Sequence, residues 1–171
     1  MRAVVLDFET LYGDDYTLSK MTTEAYIRDP RFEAHGAGIK WSTSTSAVWY
    51  DQRELAYVLK EEDWSDVYLI AHHCQFDAFI LSQHYKVFPK MYGCTLSMAR
   101  LLLGNHLSVS LSSLAKYFDL APKTIDYFSF KGKHWNELSV AQQQGLADGC
   151  CRDVEITWEL FRRLLRGETG K

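Results

Sequence analysis

The first ten residues limit the possible folds more than any other part of the sequence. Residues 2–8 (RAVVLDF) are short, branched and apolar, which is typical of a strand buried on both faces. Such a strand needs a layer of packed structure on each side. Asp7 and Glu9 close the run, and side chains two apart on a strand project from the same face. The sequence therefore predicts a central strand that carries two neighbouring carboxylates at its end.

Further apolar runs predict more strands and a set of helices. The predicted strands are 35–42, 46–50, 67–72 and a short one near Met91. The predicted helices are 52–62, 75–85, Thr95 to Leu103, Ser110 to Phe118, and one from the Ser139–Gln142 capping-box pattern toward Leu165. Residues 11–34 and 120–134 are predicted to be irregular. This order favours one α/β domain over residues 1–171, with a mixed central sheet flanked by helices. The ribonuclease-H-like fold has this order, although periodicity alone does not select it.

The last predicted helix carries an acidic residue at the edge of its apolar face. Four residues at helical spacing form that face: Val154, Trp158, Phe161 and Leu165. Asp153 precedes this stripe by one residue, although an ordinary surface aspartate beside Arg152 explains it equally well. Gly149 is expected to interrupt the helix, because glycine costs about 1 kcal/mol relative to alanine in a helix interior.

Composition excludes several classes of protein. No apolar run approaches the roughly 20 residues of a membrane span. The apolar start of the chain meets Asp7 too early for a signal peptide, which predicts a cytoplasmic protein. The four cysteines form no CxxC pair and are expected to be reduced thiols, and a zinc site is not expected. The net charge of −3 disfavours a tight grip on long duplexes, but metal ions can supply positive charge at a short 3′ end.

A third acidic residue follows the fourth strand, in the run HCQFD. Asp77 falls in the first turn of a predicted helix, where negative charge is favoured in any protein. Taken alone, Asp77 and the Asp7–Glu9 pair are weak signals. Their order along the chain is much more specific: DxE after the first strand, FD at a helix start, and DVxxT in the last helix.

This combination resembles the DEDD superfamily of 3′–5′ exonucleases, and more narrowly the proofreading domain of phage polymerases related to bacterial DNA polymerase I. The stretch DFETLYGDDYTLSKMTTEAYIRDPRFEAHGAGIK is similar to the opening of such polymerases. The runs TLSMARLLL and SLSSLAKYFDL are similar to the middle helices of the family. The resemblance extends from Asp7 to about Leu164.

The resemblance implies a two-metal site for Mg²⁺ or Mn²⁺. Asp7, Glu9 and Asp153 would ligate one ion, and the second would bind Asp7 directly and Asp77 mainly through water. The two ions would lie about 4 Å apart around the scissile phosphate. The implied reaction removes nucleotides from single-stranded DNA 3′ ends, as in proofreading for a DNA polymerase in cis or in trans, in a phage or bacterial replication context.

The resemblance also implies residues that hold the substrate. Thr10 and Leu11 match positions that pack on the terminal nucleotide. Phe76 matches an aromatic that wedges against the last bases, although core packing explains it equally well. His73 stands where the family usually has asparagine, and is assigned to the same substrate site.

The sequence departs from the family where the attacking water is usually oriented. Gly149 stands where one branch has a tyrosine, and Asp148 stands where the other branch has a histidine. Three explanations remain open. The metal ions alone activate the water, or a tyrosine from elsewhere, such as Tyr117 or Tyr127, reaches the site, or the domain is catalytically weakened.

Three functions therefore compete at this stage. The leading one is the proofreading exonuclease on DNA. The first alternative is a catalytically weakened nucleic-acid-binding module of a polymerase. The second alternative is an RNA-trimming exonuclease on the same fold. No sequence feature reads the 2′-hydroxyl that distinguishes RNA from DNA.

Overall fold

The molecule is built around a five-stranded mixed sheet. The computed structural model describes residues 1–104, 107–122 and 126–169. The strands are β1 (Arg2–Thr10), β2 (Ala34–Trp41), β3 (Val48–Asp51), β4 (Val67–Ala71) and β5 (Met91–Cys94). Their order across the sheet is β3-β2-β1-β4-β5. β1 pairs antiparallel with β2 and parallel with β4, so it lies at the centre.

The central strand is covered on both faces, as its composition predicts. Val4 and Leu6 point into the larger core cluster on one face. Val5 packs on the other face with Val154 and Phe161 of the last helix. All three strand residues are fully buried. The expectation of an α/β, ribonuclease-H-like fold with a mixed sheet flanked by helices is confirmed.

Six α-helices complete the described part of the chain. They are α1 (Thr23–Arg28), α2 (Gln52–Glu61), α3 (Cys74–Ile80), α4 (Thr95–Leu103), α5 (Leu111–Tyr117) and α6 (Val140–Leu165). α3 continues into a π-helical turn, Leu81–Tyr85. α1 and a short 3₁₀ turn, Tyr127–Phe130, lie in segments that were predicted to be irregular. Both elements are too short to show a hydrophobic period, and α1 is recognisable mainly by its Thr22 cap, which accepts a hydrogen bond from the Ala25 N–H at 3.1 Å.

The helix α6 confirms one prediction and corrects two others. Its capping box is present: the Gln142 N–H donates to Ser139 Oγ at 3.2 Å, and the Ser139 N–H donates to Gln142 Oε1 at 3.0 Å. Gly149 does not interrupt the helix, because burial against the sheet outweighs the intrinsic cost of one glycine. Leu165 does not belong to the apolar stripe and is 67% exposed. Leu164, one residue earlier, points inward instead.

The cysteines and helices agree with the compositional predictions. All four cysteines are free thiols. Cys74 and Cys150 are buried, whereas Cys94 and Cys151 are partly exposed. Among the helices of the described residues, none combines the length and apolarity that a membrane span requires.

Candidate active site

Three elements bring the four predicted carboxylates to the end of the central strand β1. Asp7 and Glu9 lie at the end of β1, Asp77 lies in α3, and Asp153 lies in the middle of α6. Asp77 is fixed against the strand because its Oδ1 accepts a hydrogen bond from the Phe8 N–H at 3.1 Å. Asp77 and Asp153 are each only 1% exposed. Carboxylates are rarely this buried unless a partner or a ligand compensates their charge.

Three of these acids, Asp7, Glu9 and Asp153, line a cleft of about 320 Å³, and Asp77 lies beside Asp7 behind its wall. Besides Asp7, Glu9 and Asp153, the cleft is lined by Phe8, Thr10, Tyr12, Thr17, Leu18, Tyr26, His72, Phe76, Leu111 and Tyr127. Its wall therefore combines a cluster of acids at one point with aromatic and aliphatic side chains around it. A cleft of this composition suits a ligand with both a charged part and a flat apolar part.

The carboxylates repel one another. Burial raises the pKa of Asp77 well above the usual range of an aspartate, and the neighbouring charge of Asp7 raises the pKa further. The hydrogen bond from the Phe8 N–H acts in the opposite direction but is the weaker influence. A divalent cation between these acids would replace the repulsion with attraction. The carboxylate set therefore fits the hard cations Mg²⁺ and Mn²⁺, which prefer oxygen ligands.

A thiol lies beside the acid pair, and it was not predicted as part of the site. The ligand atoms of Asp7, Glu9 and Cys150 all lie within 4.8 Å of one another. Cys150 Sγ donates to the Asp7 carbonyl oxygen at 3.3 Å and lies 3.8 Å from Asp7 Oδ2. Burial, followed by the charges of Asp7 and Glu9, raises the pKa of this thiol well above its usual value. A protonated thiol is a poor metal ligand, so the arrangement retains the character of an oxygen site. Its position three residues before Asp153, on the same helix face, is the sequence signal that identifies it.

One of the two candidate tyrosines from outside α6 reaches the acids. The Tyr127 hydroxyl donates to Glu9 Oε1 over a long 3.5 Å. Burial, followed by the charges of Glu9, Asp153 and Asp7, raises the pKa of this phenol, so it stays protonated. Tyr117 is directed elsewhere: its hydroxyl donates to the Thr169 carbonyl oxygen at 2.6 Å.

The four predicted substrate-binding residues separate into two pairs. Thr10 and Phe76 line the cleft. Thr10 Oγ1 lies 2.7 Å from the Tyr26 hydroxyl, and the Phe76 ring lies 5.9 Å from the Tyr26 ring. Leu11 and His73 do not line the cleft. Leu11 is 7% exposed in the main core, and His73 is an exposed residue with left-handed backbone at the start of α3.

The position of Leu11 has a local cause. The pairing register between β1 and β2 shifts between Glu9 and Thr10, so that Thr10 faces Ala34. β1 also ends at Thr10, and the strict alternation of faces ends with it. Alternation alone would place Leu11 on the same face as Asp7 and Glu9. It packs instead in the cluster that contains Tyr16 and Tyr26.

Several cleft residues were not found by sequence reasoning. His72 is held by two contacts, from Nδ1 to Thr95 Oγ1 at 2.8 Å and from Nε2 to the Val109 carbonyl oxygen at 3.1 Å. The hydroxyl of Tyr12 is buried and has no hydrogen-bond partner among the described residues. Neither residue belongs to a recognisable motif. Both are placed by the loops that follow β4 and β1.

Comparisons with known proteins connect this cleft to a fold. No protein-family model matches the sequence, and no curated protein matches it significantly. Similar solved structures include Brucella melitensis NrnC bound to pGG, with 21% identity, a TM-score of 0.60, and coverage of 98% of this chain and 76% of the other. Trypanosoma brucei RNase D in complex with RNA U12 has 13% identity and a TM-score of 0.63, with coverage of 92% and 54%.

A further similar structure is Escherichia coli RNase D, described as an exoribonuclease involved in structured RNA processing. It has 15% identity and a TM-score of 0.57, with coverage of 96% of this chain and 40% of the other. This chain thus spans about half or less of the two RNase D chains. At these identities the similarity establishes architecture, and the chain shares the ribonuclease-H-like fold of these nucleases.

Proposed function

We propose that the chain is a metal-dependent 3′–5′ exonuclease that shortens single-stranded RNA from its 3′ end. The observation that carries this proposal is that three carboxylates from β1 and α6, Asp7, Glu9 and Asp153, line one cleft, with Asp77 of α3 beside Asp7. Asp77 and Asp153 are almost fully buried, and burial, followed by the charge of Asp7, raises the pKa of Asp77. Perturbed carboxylates that converge in a cleft are typical of a catalytic site rather than of a structural core.

The cleft suits one nucleotide at a time. Its volume of about 320 Å³ is at the lower end of the roughly 300–1,000 Å³ of ligand pockets. The ring of Phe76 and the exposed side chain of Leu18 offer apolar contact to a base, and the acids would face its phosphate. Stacking of this kind requires a base that is free of its partner strand, which favours an unpaired 3′ end.

The proposed reaction is the hydrolysis of the last phosphodiester bond. A water oxygen bonds to phosphorus, the bond from phosphorus to the 3′ oxygen breaks, one water proton passes to solvent, and the 3′ oxygen takes up a proton. The products are a nucleoside 5′-monophosphate and a chain shortened by one nucleotide. Bound divalent ions would supply the positive charge that stabilises the transition state. Asp7, Glu9, Asp77 and Asp153 would hold these ions, and no protein side chain forms a covalent bond to the substrate.

RNA is favoured over DNA by the structural comparisons. Two of the similar structures, NrnC and the trypanosomal RNase D, contain pGG and an RNA. Proofreading of DNA, with a single-stranded DNA 3′ end and a polymerase as partners, is the second candidate. It rests on the resemblance of residues 7–40 to the opening of phage polymerases. The two candidates share the same four acids and differ in the sugar of the substrate and in the polymerase partner.

One time course tests the activity and separates the candidates. Two 5′-labelled single strands of the same sequence, one RNA and one DNA, are incubated with Mg²⁺, with Mn²⁺ or with a chelator. We expect stepwise shortening with metal, no shortening with the chelator, and faster shortening of the RNA. Faster shortening of the DNA would favour proofreading. A chain that binds the strands but shortens neither would establish the binding-module alternative.

Metal binding has a readout that does not depend on catalysis. Mn²⁺ should raise the melting temperature, because the clustered carboxylates bind it only in the folded state. The increase should be smaller in Asp7→Ala and in Asp153→Ala. An equal increase in the wild type and both variants would show a non-specific ion effect.

A further inference from the structure

The face of α6 that looks toward the acids has no side chain at position 149. Gln142, Leu146, Gly149 and Asp153 follow one another at spacings of four, three and four residues, so they share one face of the helix. Gly149 is buried on this face, one turn before Asp153. A hydroxyl that orients the attacking water must therefore come from another element.

The nearest such element is the 3₁₀ turn Tyr127–Phe130. It lies over the first part of this helix face, because the Gln142 side-chain amide donates to the Ser129 carbonyl oxygen at 3.1 Å. Phe130 is buried in one cluster with Leu146. Tyr127, at the start of the turn, extends farther along the same face and donates to Glu9 at 3.5 Å.

The turn is anchored on both sides of Tyr127. The Asp126 side chain accepts a hydrogen bond from the Phe128 N–H at 3.2 Å and so caps the turn. Beyond the turn, the Gly132 N–H donates to the Tyr12 carbonyl oxygen at 2.7 Å. The second bond attaches the turn to the loop that follows β1, the strand that carries the acid pair.

A partly buried carboxylate holds the next few residues as well. Glu33 accepts hydrogen bonds from the Trp135 N–H at 2.7 Å and from His134 Nδ1 at 2.6 Å. Trp135 packs in the same cluster as Phe130. The segment from Asp126 to Trp135 therefore has fixed contacts at both ends, and the phenol of Tyr127 is held in place by the fold.

We infer that Tyr127 positions the attacking water, in the place of the side chain that Gly149 lacks; this inference rests on the proposed nuclease function. The hydroxyl donates its proton to Glu9 and accepts a hydrogen bond from the water. This contact directs a lone pair of the water oxygen toward phosphorus. The bond changes are those of the hydrolysis described above, and Tyr127 neither gains nor loses a proton.

The variant Tyr127→Phe tests the inference, because it removes one oxygen and keeps the ring. We expect kcat for RNA shortening to fall at least about tenfold, a part of the ~10²–10⁴-fold that such groups contribute. KM should stay within about twofold, and the increase in melting temperature with Mn²⁺ should not change. Tyr117→Phe is the matched control, since that hydroxyl bonds Thr169 outside the cleft, and it should retain the wild-type kcat.

Each other outcome has a distinct meaning. A wild-type protein that shortens no strand refutes the proposed function itself. An active wild type with an equally active Tyr127→Phe refutes only the role of Tyr127. If Tyr127→Phe is slow and also loses the Mn²⁺-dependent increase in melting temperature, the hydroxyl supports metal binding by Glu9, and the water-positioning role is wrong.

Discussion

Two clefts lie on opposite sides of α6, and they differ in how their charges are balanced. The larger, of about 650 Å³, is lined by α6 residues such as Asp148 and Glu155 and by the turn between β2 and β3. There Glu155 accepts hydrogen bonds from Lys40 Nζ at 3.2 Å and from the Ala47 N–H at 2.6 Å. At the smaller cleft, the carboxyl groups of Asp7 and Asp77 are neighbours, and burial and the charge of Asp7 raise the pKa of Asp77.

Charge, rather than size, is the reason for assigning the proposed active site to the smaller cleft. The buried ammonium of Lys40 also donates to the carbonyl oxygens of Ser44 and Thr45. The ion pair of Lys40 with Glu155 therefore holds the turn between β2 and β3 against α6. Opposite charges in contact stabilise a fold. Like charges in contact cost stability, and proteins retain them where a cation or a reaction requires them.

The largest expected difference between the clefts is in activity. Asp7→Ala should lower the rate of RNA shortening by ~10³-fold or more, because the loss of several kcal/mol of charge stabilisation corresponds to about that factor. Asp148→Ala is the matched control in the larger cleft, where Asp148 is exposed and accepts a hydrogen bond from the Gln144 side chain at 2.8 Å. Its rate should stay within about threefold of the wild type. Equal losses in the two variants would contradict the assignment of the smaller cleft.

The second difference concerns the stability of the metal-free protein at different pH values. The pKa of Asp77 is raised in the folded state, above the ordinary value of 3.8. The folded protein therefore binds this proton more tightly than the unfolded chain does. The contribution of Asp77 to the free energy of unfolding should be fully present below about pH 4 and should be lost as pH rises toward the folded pKa, by up to about 1.4 kcal/mol per pH unit.

Urea unfolding in the presence of a chelator, from pH 4 to 8, measures this effect. Asp77→Asn should remove much of the fall that the wild type shows, whereas Asp148→Asn should retain it. If Asp77→Asn and the wild type show the same slope, Asp77 is not the group that opposes folding at neutral pH.

The smallest expected effect is a loss of stability without a loss of activity. Glu155→Gln should lower the free energy of unfolding by about 1–3 kcal/mol, because it weakens the partner of a buried ammonium. The rate of RNA shortening should be unchanged. Glu159→Gln is a suitable control, since Glu159 pairs with Arg162 and Arg163 at the surface, where an ion pair contributes about 0–1 kcal/mol. A slower nuclease in Glu155→Gln would show that the two clefts are coupled.

The sequence predicts those parts of the site that depend on local pattern. The apolar run before Asp7 identifies β1, and the helical period identifies α6, so the positions of three acids follow from their elements. The resemblance of the three motifs adds Asp77. Cys150 and Tyr127 depend on packing between distant segments: Cys150 meets Asp7 across 143 residues, and Tyr127 meets Glu9 across 118. The spacing of hydrophobic residues along the chain does not indicate contacts between distant segments. For this reason the sequence predicts only a loop around Tyr127.

The register shift after Glu9 separates the part of the cleft wall that the sheet holds from the part that a loop forms. Before the shift, ladder hydrogen bonds to β2 set the spacing of Asp7 and Glu9. After it, β1 ends at Thr10, and the chain from Leu11 onward, which includes Tyr12, forms the connection that leads to α1. Leu11 and Tyr16 pack in the core and hold this connection in place. Its exposed side chains at the cleft, such as Leu18, can be exchanged to suit a different nucleotide while the two acids keep their separation.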